Sequence, residues 1–318
     1  MYDVIIIGGG VAAFTAGIFT SRRGLKTLII GKDIAGQANY TDAIENYPGL
    51  QEVGGFELVS SIRQQAENFG AEFLIAEVSK VKAVADEFIV TAFDKQYKAQ
   101  SLILAYGKTP KDLGVPGEAE LKGKGVTYCA TCDGPLFKNK VVAVAGIGDI
   151  AAEAGLICAP FAKQVFILSK TDRLICHPAL NKALFRKKNV KLLPFVQIQQ
   201  LIGEGKLEKM QILDLKSGHQ MELDVDGLLV ELGYVVDSNF LQNIVKLDEQ
   251  EQIIVNADQA TSYSGIFACG DAINSSYKQA VISAGNAATA ALACYDWLMR
   301  RQGGIGLTSD WNQIKRLK

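Results

Sequence analysis

The chain lacks any run of about 18 or more apolar residues, the length that a helix needs to cross a bilayer. Its first ten residues, MYDVIIIGGG, contain no basic segment ahead of a long apolar stretch, so we expect no secretory signal and no membrane partner. Six cysteines in 318 residues are too few for a disulfide scaffold. The expected location is therefore the reducing cytoplasm, where a CxxC pair is redox-active or metal-binding rather than structural.

The chain also lacks an excess of charge of either sign. Its formal net charge is -1, so the overall balance does not favour a nucleic-acid partner, and any charged partner must bind a local patch. The composition, 48% hydrophobic and 21% charged, is typical of a globular protein. A length of 318 residues is enough for two domains.

The apolar pattern predicts two βαβ units. The run DVIII at 3–7 ends in glycines and leads into a helical pattern, and TLII at 27–30 supplies the next strand. The same order returns in VVAVAGIGDIAAEAGLICA at 141–159, which QVFILS follows at 164–169. Between the two units, IRQQAENFG predicts a helix, and FLIAEVSKVKAV, EFIVTAF and SLILAYG predict strands. This alternation indicates an α/β fold, with one domain crossing near Gly114 and Pro116 and the return within 231–239.

A glycine loop follows the first strand of each unit. In the first loop, Gly8 permits a tight turn, Gly10 lets a pyrophosphate approach the backbone, and the small Ala13 lets helix and strand pack closely. The acidic ribose ligand expected after the second strand is missing, because Gly31 stands there. The second loop has the same form at Gly146, Gly148 and Ala151. Both loops predict dinucleotide sites, although a single match of this kind is also found in ordinary turns.

The only CxxC pair is Cys129 and Cys132 in YCATCDGP, with Asp133 directly after it. A structural zinc site needs about four ligands, and the chain offers no second CxxC and only two histidines, so we expect no metal. A CxxC dithiol suits reversible electron transfer, and the carboxyl of Asp133 can exchange the proton that each thiolate step requires. The remaining cysteines, expected to be inert buried thiols, are Cys158, Cys176, Cys269 and Cys294.

Two dinucleotide loops and a CxxC at the start of the second domain together resemble the low-molecular-weight thioredoxin reductases. The resemblance extends over residues 1–298 and is carried by GGGVAAFTAG, AGQANYTDAIENYPG, YCATCDGPLFKNK, AGIGDIAAE and GIFACGDAINSSYKQAVISAG. It implies two Rossmann-like, three-layer ββα domains, with residues 115–237 inserted into an FAD-binding domain formed by 1–114 and 238–318. It also implies a homodimeric, FAD-dependent disulfide oxidoreductase that acts on a thioredoxin-like protein.

The resemblance implies roles for individual residues. The FAD ligands would be Gly8, Gly10, Ala13, Gly36, Gln37, Asn46, Val78, Asp271, Gln279 and Ala280. Cys132 would face the flavin, Cys129 would attack the partner's disulfide, and Asp133 would move the proton. The family tolerates a residue such as Gly31 where an acid is otherwise expected, and it usually has threonine and arginine where this chain has Tyr106 and Lys278.

The expected electron donor differs from that of the NADPH-dependent members. Those members carry HRRxxxR where this chain has SKTDRLI at 169–175. Lys170 alone cannot replace the bidentate recognition of a 2′-phosphate by paired arginines, so NADPH is not the expected donor. The second loop would still suit NADH or a second FAD.

Relatives without the NADPH motif take electrons from ferredoxin or carry a second FAD, and we favour ferredoxin here. Ferredoxins are acidic, and predicted basic docking segments are FRKKNVK at 185–191 and the set Arg300, Arg301, Lys315, Arg316 and Lys318, although both could be solvated helix faces. In the tail, Trp311 would stack on a flavin or anchor the tail to the surface.

Three alternatives remain open at this point. The chain would be a diflavin disulfide oxidoreductase with a second FAD at the second loop, an NAD(P)H-dependent thioredoxin reductase with an unusual loop, or a flavin redox sensor with negligible turnover. The number of FAD molecules per chain and the identity of the reductant distinguish them.

Overall fold

The structure, a computed structural model, describes residues 1–41 and 43–305. It contains two compact units, one formed by Met1–Ala38, Tyr47–Thr109 and the chain from Val236 onward, the other by Asn39–Asn46 and Pro110–Val235. The chain therefore crosses between units after residues 109 and 235, where the sequence places the crossings after residues 114 and 237. Residues 39–46, which the sequence assigns to the first domain, group with the second unit.

Strands and helices alternate through both units. In chain order the strands are β1 (Tyr2–Ile7), β2 (Thr27–Gly31), β3 (Glu72–Ile75), β4 (Val78–Val84), β5 (Glu87–Ala92), β6 (Lys95–Leu104), β7 (Thr109–Pro110), β8 (Val126–Thr127), β9 (Val141–Gly146), β10 (Gln164–Leu168), β11 (Val190–Leu193), β12 (Val196–Ile202), β13 (Lys209–Asp214), β14 (Gln220–Asp224), β15 (Gly227–Glu231), β16 (Tyr234–Val235) and β17 (Ile266–Ala268). The helices are α1 (Val11–Ser21), α2 (Gly55–Asn68), α3 (Glu118–Leu121), α4 (Ala130–Asp133), α5 (Gly148–Cys158), α6 (Pro178–Phe185) and α7 (Ala280–Arg301).

The first unit is built on one sheet in the order β3-β2-β1-β6-β5-β4, with β17 also paired to β6. The strands β3, β2, β1, β6 and β17 are parallel, whereas β5 and β4 are antiparallel to their neighbours. Four residues of β1 in succession are buried, as a central parallel strand covered on both faces requires. Ten of the 11 residues of α1 are buried, and α2 and α7 both pack on it.

The second unit has a parallel sheet in the order β11-β10-β9-β15-β8 and a separate antiparallel sheet, β12-β13-β14. On one face of the parallel sheet, α5 packs over a core that includes Val142, Val144, Ile167 and Leu229. Because all five strands are parallel, their carboxyl ends meet at one edge. The segments that follow β8, β9, β10 and β15 therefore share this edge.

The predicted α/β fold is confirmed, and both predicted βαβ units are present as β1-α1-β2 and β9-α5-β10. The stretch FLIAEVSKVKAV, predicted as strand, forms two strands, β3 and β4. The chain changes partner at Ala76 and Glu77, since β3 pairs with β2 and β4 pairs with β5. The FRKKNVK segment is not a helix face: α6 ends at Phe185, and an exposed turn with Arg186, Lys187 and Lys188 leads to β11. Within the described ranges, no helix is long and apolar enough to span a membrane.

Candidate redox site

Cys129 and Cys132 form a disulfide at the start of α4. Their Cα atoms are 5.3 Å apart, because a spacing of three residues closes within one helical turn. The amide of Cys132 donates to Cys129 Sγ at 3.2 Å, and the amide of Asp133 donates to the Cys129 carbonyl at 3.0 Å. Both cysteines are half-buried, so the pair combines a fixed backbone with partial access from solvent.

Asp133 lies beneath the disulfide and is 4% exposed. The hydroxyl of Thr127, the last residue of β8, donates to Asp133 Oδ2, and the same hydroxyl accepts from the amide of Cys129 at 3.2 Å. These two hydrogen bonds connect the backbone of the redox pair to a buried carboxyl group. The position suits a group that exchanges a proton with a nearby sulfur.

A second set of contacts fixes the residue before the disulfide. The Tyr128 hydroxyl lies 2.9 Å from Asp112 Oδ1 and 2.9 Å from Glu118 Oε1. Glu118, 3% exposed, accepts from the amides of Leu113 and Gly114 at 2.9 and 2.8 Å. Burial and these two carboxylates raise the pKa of Tyr128 above its ordinary range. No sequence pattern predicted this cluster, although an acid in the first turn of a short helix, Glu118 in GVPGEAE, is the available signal.

The first glycine loop connects β1 to α1. Gly8 has φ +144°, and a Cβ at this position would lie 2.1 Å from the Ala105 carbonyl oxygen, so only glycine fits. By contrast, a Cβ at Gly10 would meet its nearest atom, the Ala35 carbonyl oxygen, at 3.8 Å. Gly10 is the N-cap of α1, and Ala13 is fully buried. The loop thus offers open backbone at a helix N-terminus, the arrangement that a pyrophosphate requires.

Gly31, at the end of β2, faces this loop. A Cβ at Gly31 would lie 2.8 Å from both the Gly8 carbonyl oxygen and the Gly9 Cα atom. The backbone of the loop therefore occupies the space of any side chain at this position. The absence of an acid here follows from packing.

Further predicted FAD ligands lie at the same edge of the first sheet. Gly36 follows β2 and donates its amide to Asp33 Oδ1 at 3.0 Å, and Gln37 Nε2 donates to the Lys108 carbonyl at 2.7 Å. Asp271 follows β17, and its Oδ1 accepts from the Ser283 hydroxyl at 3.0 Å. The preceding Gly270 approaches α1 so closely that a Cβ there would lie 2.8 Å from Ala12 Cβ. Asp271 is therefore held beside the N-terminus of α1.

The remaining predicted FAD ligands are more dispersed. Gln279 is the N-cap of α7 and Ala280 is its first residue. Val78 begins β4 at the edge of the sheet, and Asn46 is exposed in the 39–46 segment of the second unit.

Lys278, beside Gln279, is half-buried. Its Nζ donates to the Ile273 carbonyl and, at 2.8 Å, to Gln252 Oε1. Burial lowers the pKa of Lys278 to about 8, which the charge of Asp271 opposes and that of Lys108 reinforces. Lys278, whose side chain loses its charge as pH rises through about 8, thus lies next to the segment that carries Asp271.

The second glycine loop differs in its surroundings. Gly148 has φ +67°, and a Cβ there would meet its nearest atom, the Ile175 carbonyl oxygen, at 3.9 Å, while Ala151 is buried against the core. Around the loop, however, Ile147, Ile150 and Ile175 are 71%, 47% and 69% exposed. A Cβ at Gly146 would lie 2.6 Å from the Glu231 carbonyl oxygen, so this glycine is needed for strand packing whether or not a nucleotide binds.

The 169–175 segment, which the sequence predicts not to bind a 2′-phosphate, is organised by its own hydrogen bonds. The hydroxyls of Ser169 and Thr171 both donate to the Arg173 carbonyl, at 3.0 and 2.7 Å. Lys170 and Arg173 are exposed, with Asp172 between them. The arrangement supplies separated charges and no paired guanidinium groups.

Three of the four cysteines outside the CxxC pair, Cys158, Cys269 and Cys294, are buried as expected, whereas Cys176 is half-buried. Among residues 1–41 and 43–305, no group of three or more His, Cys, Asp or Glu side chains is placed to hold a metal ion. Trp311 and the predicted docking residues Lys315, Arg316 and Lys318 lie outside the described residues. Arg300 pairs with Asp296, and Arg301 pairs with Asp86.

Comparison with known proteins identifies a matching family and several similar proteins. A family model described as pyridine nucleotide-disulphide oxidoreductase matches residues 2–289. Thioredoxin reductase of Bacillus subtilis (strain 168) is 37% identical over 293 residues, which cover 92% of this chain and 93% of that protein. The crystal structure of thioredoxin reductase from Streptococcus pyogenes MGAS5005 matches with a TM-score of 0.89 and 31% identity, covering 94% of this chain and 98% of that one. Thioredoxin reductase from Giardia duodenalis matches with a TM-score of 0.85 and 32% identity, covering 93% and 98%.

Proposed function

Because the chain belongs to the pyridine nucleotide-disulphide oxidoreductase family and is a thioredoxin reductase-like, FAD-binding disulfide oxidoreductase, we propose a specific substrate and route. The protein reduces the disulfide of a thioredoxin-like protein through Cys129 and Cys132. The observation that carries the proposal is the half-buried disulfide at the start of α4, hydrogen-bonded through Thr127 to the buried Asp133. A redox-active disulfide with a buried acid beneath it is suited to exchange with another disulfide.

The residues of the first unit fit FAD. Gly8, Gly10 and Ala13 would hold its pyrophosphate at the N-terminus of α1, with Asp271 beside them. Gly36, Gln37, Gln279 and Ala280 would contact its flavin end, while Val78 and Asn46 are proposed ligands on the resemblance alone. When bound, FAD supplies the electron pair that reduces the disulfide.

The residues of the redox pair have separate proposed roles. By the resemblance, Cys132 would face the flavin, and Cys129, the more N-terminal sulfur, would attack the partner's disulfide. The buried Asp133 provides the proton for the sulfur that is released when the Cys129–Cys132 bond opens. The proposal includes a homodimer, which the particle mass in solution tests.

We propose further that the electron donor is ferredoxin rather than NADPH. Two observations support this. The 169–175 segment uses its hydroxyls internally and offers no paired arginines for a 2′-phosphate. The turn after α6 presents Arg186, Lys187 and Lys188 to solvent, and no ion pair among the described residues involves them, so an acidic protein can approach it.

One experiment separates the donors. FAD is released from the purified protein and counted, and anaerobic bleaching of the flavin is then recorded with NADPH, NADH and reduced ferredoxin in turn. We expect one FAD per chain, rapid bleaching by ferredoxin and slow bleaching by both pyridine nucleotides. Rapid bleaching by NADPH would overturn the proposed donor without affecting the role of the disulfide.

A second candidate is a diflavin enzyme with another FAD at Gly146, Gly148 and Ala151. The N-terminus of the 11-residue α5 favours this alternative, because the nearest atom to a Cβ at Gly148 would be the Ile175 carbonyl oxygen at 3.9 Å, so no side chain covers the loop backbone there. Two FAD molecules per chain in the same count would establish it.

Substituting Cys129 tests the disulfide itself. Cys129→Ser removes the attacking sulfur, so we expect protein-disulfide reduction to fall to background while the donor still bleaches the flavin. Cys176→Ser is the matched control, because Cys176 is also half-buried in the second unit but lies outside the disulfide. Full turnover by Cys129→Ser would refute the proposed route of electrons.

A further inference from the structure

Lys278 connects the turn that carries Asp271 to a second turn of the first unit. Its Nζ atom donates to the Ile273 carbonyl and, at 2.8 Å, to Gln252 Oε1. The side chain is half-buried, whereas lysine side chains are mostly exposed in folded proteins. An ammonium group removed from water in this way needs hydrogen-bond acceptors, so the two contacts define where the side chain lies.

The first of these acceptors directly follows the turn that carries Asp271. Residues Gly270–Ala272 form a single 3-10 turn after β17. Two backbone hydrogen bonds attach the end of this turn to a neighbouring segment. The Ile253 amide donates to the Ala272 carbonyl at 2.8 Å, and the Asn274 amide donates to the Ile253 carbonyl at 3.0 Å. Asp271 therefore lies in a turn whose far end is fixed by backbone contacts.

The second acceptor lies on a closed turn of its own. The Gln252 amide donates to Asp248 Oδ1 at 2.8 Å, and the Asp248 amide donates to the Gln252 carbonyl at 2.9 Å. Gln252 directly precedes Ile253, which binds the end of the Asp271 turn. The side chain of Lys278 therefore reinforces an attachment that the backbone already makes at Ile253.

The first turn of α7 holds the side chain of Asp271. The Ser283 amide donates to the Gln279 carbonyl at 2.8 Å, and the Ser283 hydroxyl donates to Asp271 Oδ1 at 3.0 Å. Lys278 immediately precedes Gln279, the N-cap of α7. One lysine thus links the two elements that hold Asp271, which are its own turn and the start of α7.

The charge on Lys278 responds to groups from three neighbouring segments. Burial lowers its pKa to about 8, the negative charges of Asp271 and Asp248 oppose this shift, and the positive charge of Lys108 reinforces it. Asp271 belongs to the 270–272 turn, Asp248 to the 248–252 turn and Lys108 to the segment after β6. A dinucleotide bound at this edge of the sheet adds the negative charge of its pyrophosphate, which favours the charged form of Lys278. Binding and protonation therefore strengthen each other.

We propose that Lys278 is a positioning residue for FAD, because its charged ammonium group joins the Asp271 turn to the start of α7 and places a positive charge at this edge of the sheet. FAD is then bound more tightly by the form of the protein in which Lys278 carries its proton. This inference rests on the proposed FAD site of the first unit. Lys278 acts through Asp271 and through its charge, and it takes no part in the chemistry of the disulfide.

The test measures how the affinity for FAD changes with pH in the wild type and in Lys278→Arg, whose guanidinium stays charged. Holoprotein is diluted in steps, and the release of FAD is followed by the rise in flavin fluorescence, from about pH 7 to about pH 9. The ratio of the wild-type to the variant dissociation constant at each pH cancels changes in FAD itself. A rise of about one unit in the pKa of Lys278 on FAD binding, from about 8, makes this ratio increase about fivefold over the range.

Two further variants make the result specific. Lys278→Met removes the charge and both hydrogen bonds, so it should bind FAD about tenfold more weakly than the wild type at neutral pH and lose the pH dependence. Lys246→Met is the matched control, because Lys246 is exposed and lies just before the 248–252 turn, and it should leave both quantities unchanged. A Lys278→Arg variant with the pH dependence of the wild type would overturn the proposal, since another group would then be the one that titrates.

The wild type alone also tests the proposal, whether or not the variants fold. A dissociation constant for FAD that stays constant over the same pH range would overturn it. The measurement uses neither an electron donor nor a partner protein. If the wild type holds no FAD, the proposed FAD site is wrong, whereas FAD held with an affinity that does not change with pH removes only the role of Lys278. The two failures are therefore distinguishable.

Discussion

At the scale of single residues, Gly31 and the first glycine loop depend on each other. The Gly8 and Gly9 backbone lies where a side chain at Gly31 would project, so the loop that suits a pyrophosphate leaves room only for glycine at the end of β2. In the sequence alone, the missing acid at Gly31 argued against a dinucleotide site. The contact explains the missing acid as a consequence of how the loop packs.

Gly31→Ala should therefore weaken both the fold and FAD binding. A methyl group placed 2.8 Å from backbone atoms forces the loop to move, and overpacking of this kind costs about 1–3 kcal/mol. We expect a lower urea midpoint and a larger dissociation constant for FAD. Gly285→Ala is the control: it is in α7 with no atom within 4 Å of its Cβ, and it should be neutral or stabilising. Equal FAD affinity for Gly31→Ala and the wild type would contradict the packing argument.

Lys278 predicts a pH dependence of stability in the FAD-free protein. Its pKa is about 8 in the folded protein, against 10.5 for an unperturbed lysine, because burial disfavours the charged form. Between these values the unfolded chain binds more protons, so this group makes the free energy of unfolding rise with pH. In Lys278→Arg the guanidinium stays charged. Urea midpoints should thus move in favour of the wild type on going from neutral to alkaline pH, whereas Lys82→Arg, at an exposed position, should show a constant difference.

At the scale of elements, the Tyr128 cluster joins β8 to the segment that enters the second unit. The hydroxyl lies between Asp112 and Glu118, and Glu118 in turn holds the amides of Leu113 and Gly114. Tyr234, from β16, donates its hydroxyl to the Tyr128 carbonyl at 2.6 Å. Tyr128 thus holds both the segment through which the chain enters the second unit and β8, the strand that precedes the disulfide.

Tyr128→Phe should loosen this entry segment. Loss of a hydrogen bond to a buried carboxylate costs about 1–3 kcal/mol, because the acceptor remains away from water. We expect faster amide hydrogen exchange at Leu113 and Gly114 and a lower unfolding midpoint. Tyr277→Phe, at a residue that is 74% exposed, should change neither quantity. Unaltered exchange at Leu113 and Gly114 in Tyr128→Phe would show that the hydroxyl does not hold the segment.

The sequence predicted the elements whose apolar pattern is regular and missed those whose pattern is interrupted. The βαβ units, with unbroken runs such as VVAVAG, were predicted close to their bounds. The sheet β12-β13-β14 was not predicted, and the register shift between Ile198 and Gln200 breaks the alternation on which such a prediction depends. Cys129, Cys132 and Asp133 were predicted as site residues from local spacing. The contacts of the Tyr128 hydroxyl were not predicted, since only the fold brings Asp112 and Glu118 to it.

At the scale of the molecule, the two units use the same loop in different surroundings. In the first unit, open backbone at Gly10 and the nearby Asp271 present polar groups to a ligand. In the second unit, exposed isoleucines surround the loop, and Gly146 is already required by the packing of Glu231. The repeated sequence motif therefore does not imply repeated chemistry. This difference adds support to the proposal that the donor is a protein that binds elsewhere on the surface.

A charge-reversal experiment tests where that protein binds. Lys187→Glu/Lys188→Glu reverses two exposed charges on the turn between α6 and β11 and should slow flavin reduction by ferredoxin, because an acidic partner is steered by this patch. The rate for the wild type should fall as salt is added, and the rate for the variant should depend less on salt. Lys82→Glu/Lys95→Glu makes the same change in charge at exposed positions of β4 and β6. If both double variants slow the reaction equally, net charge and not the turn guides the encounter, and the docking site assigned to this turn is wrong.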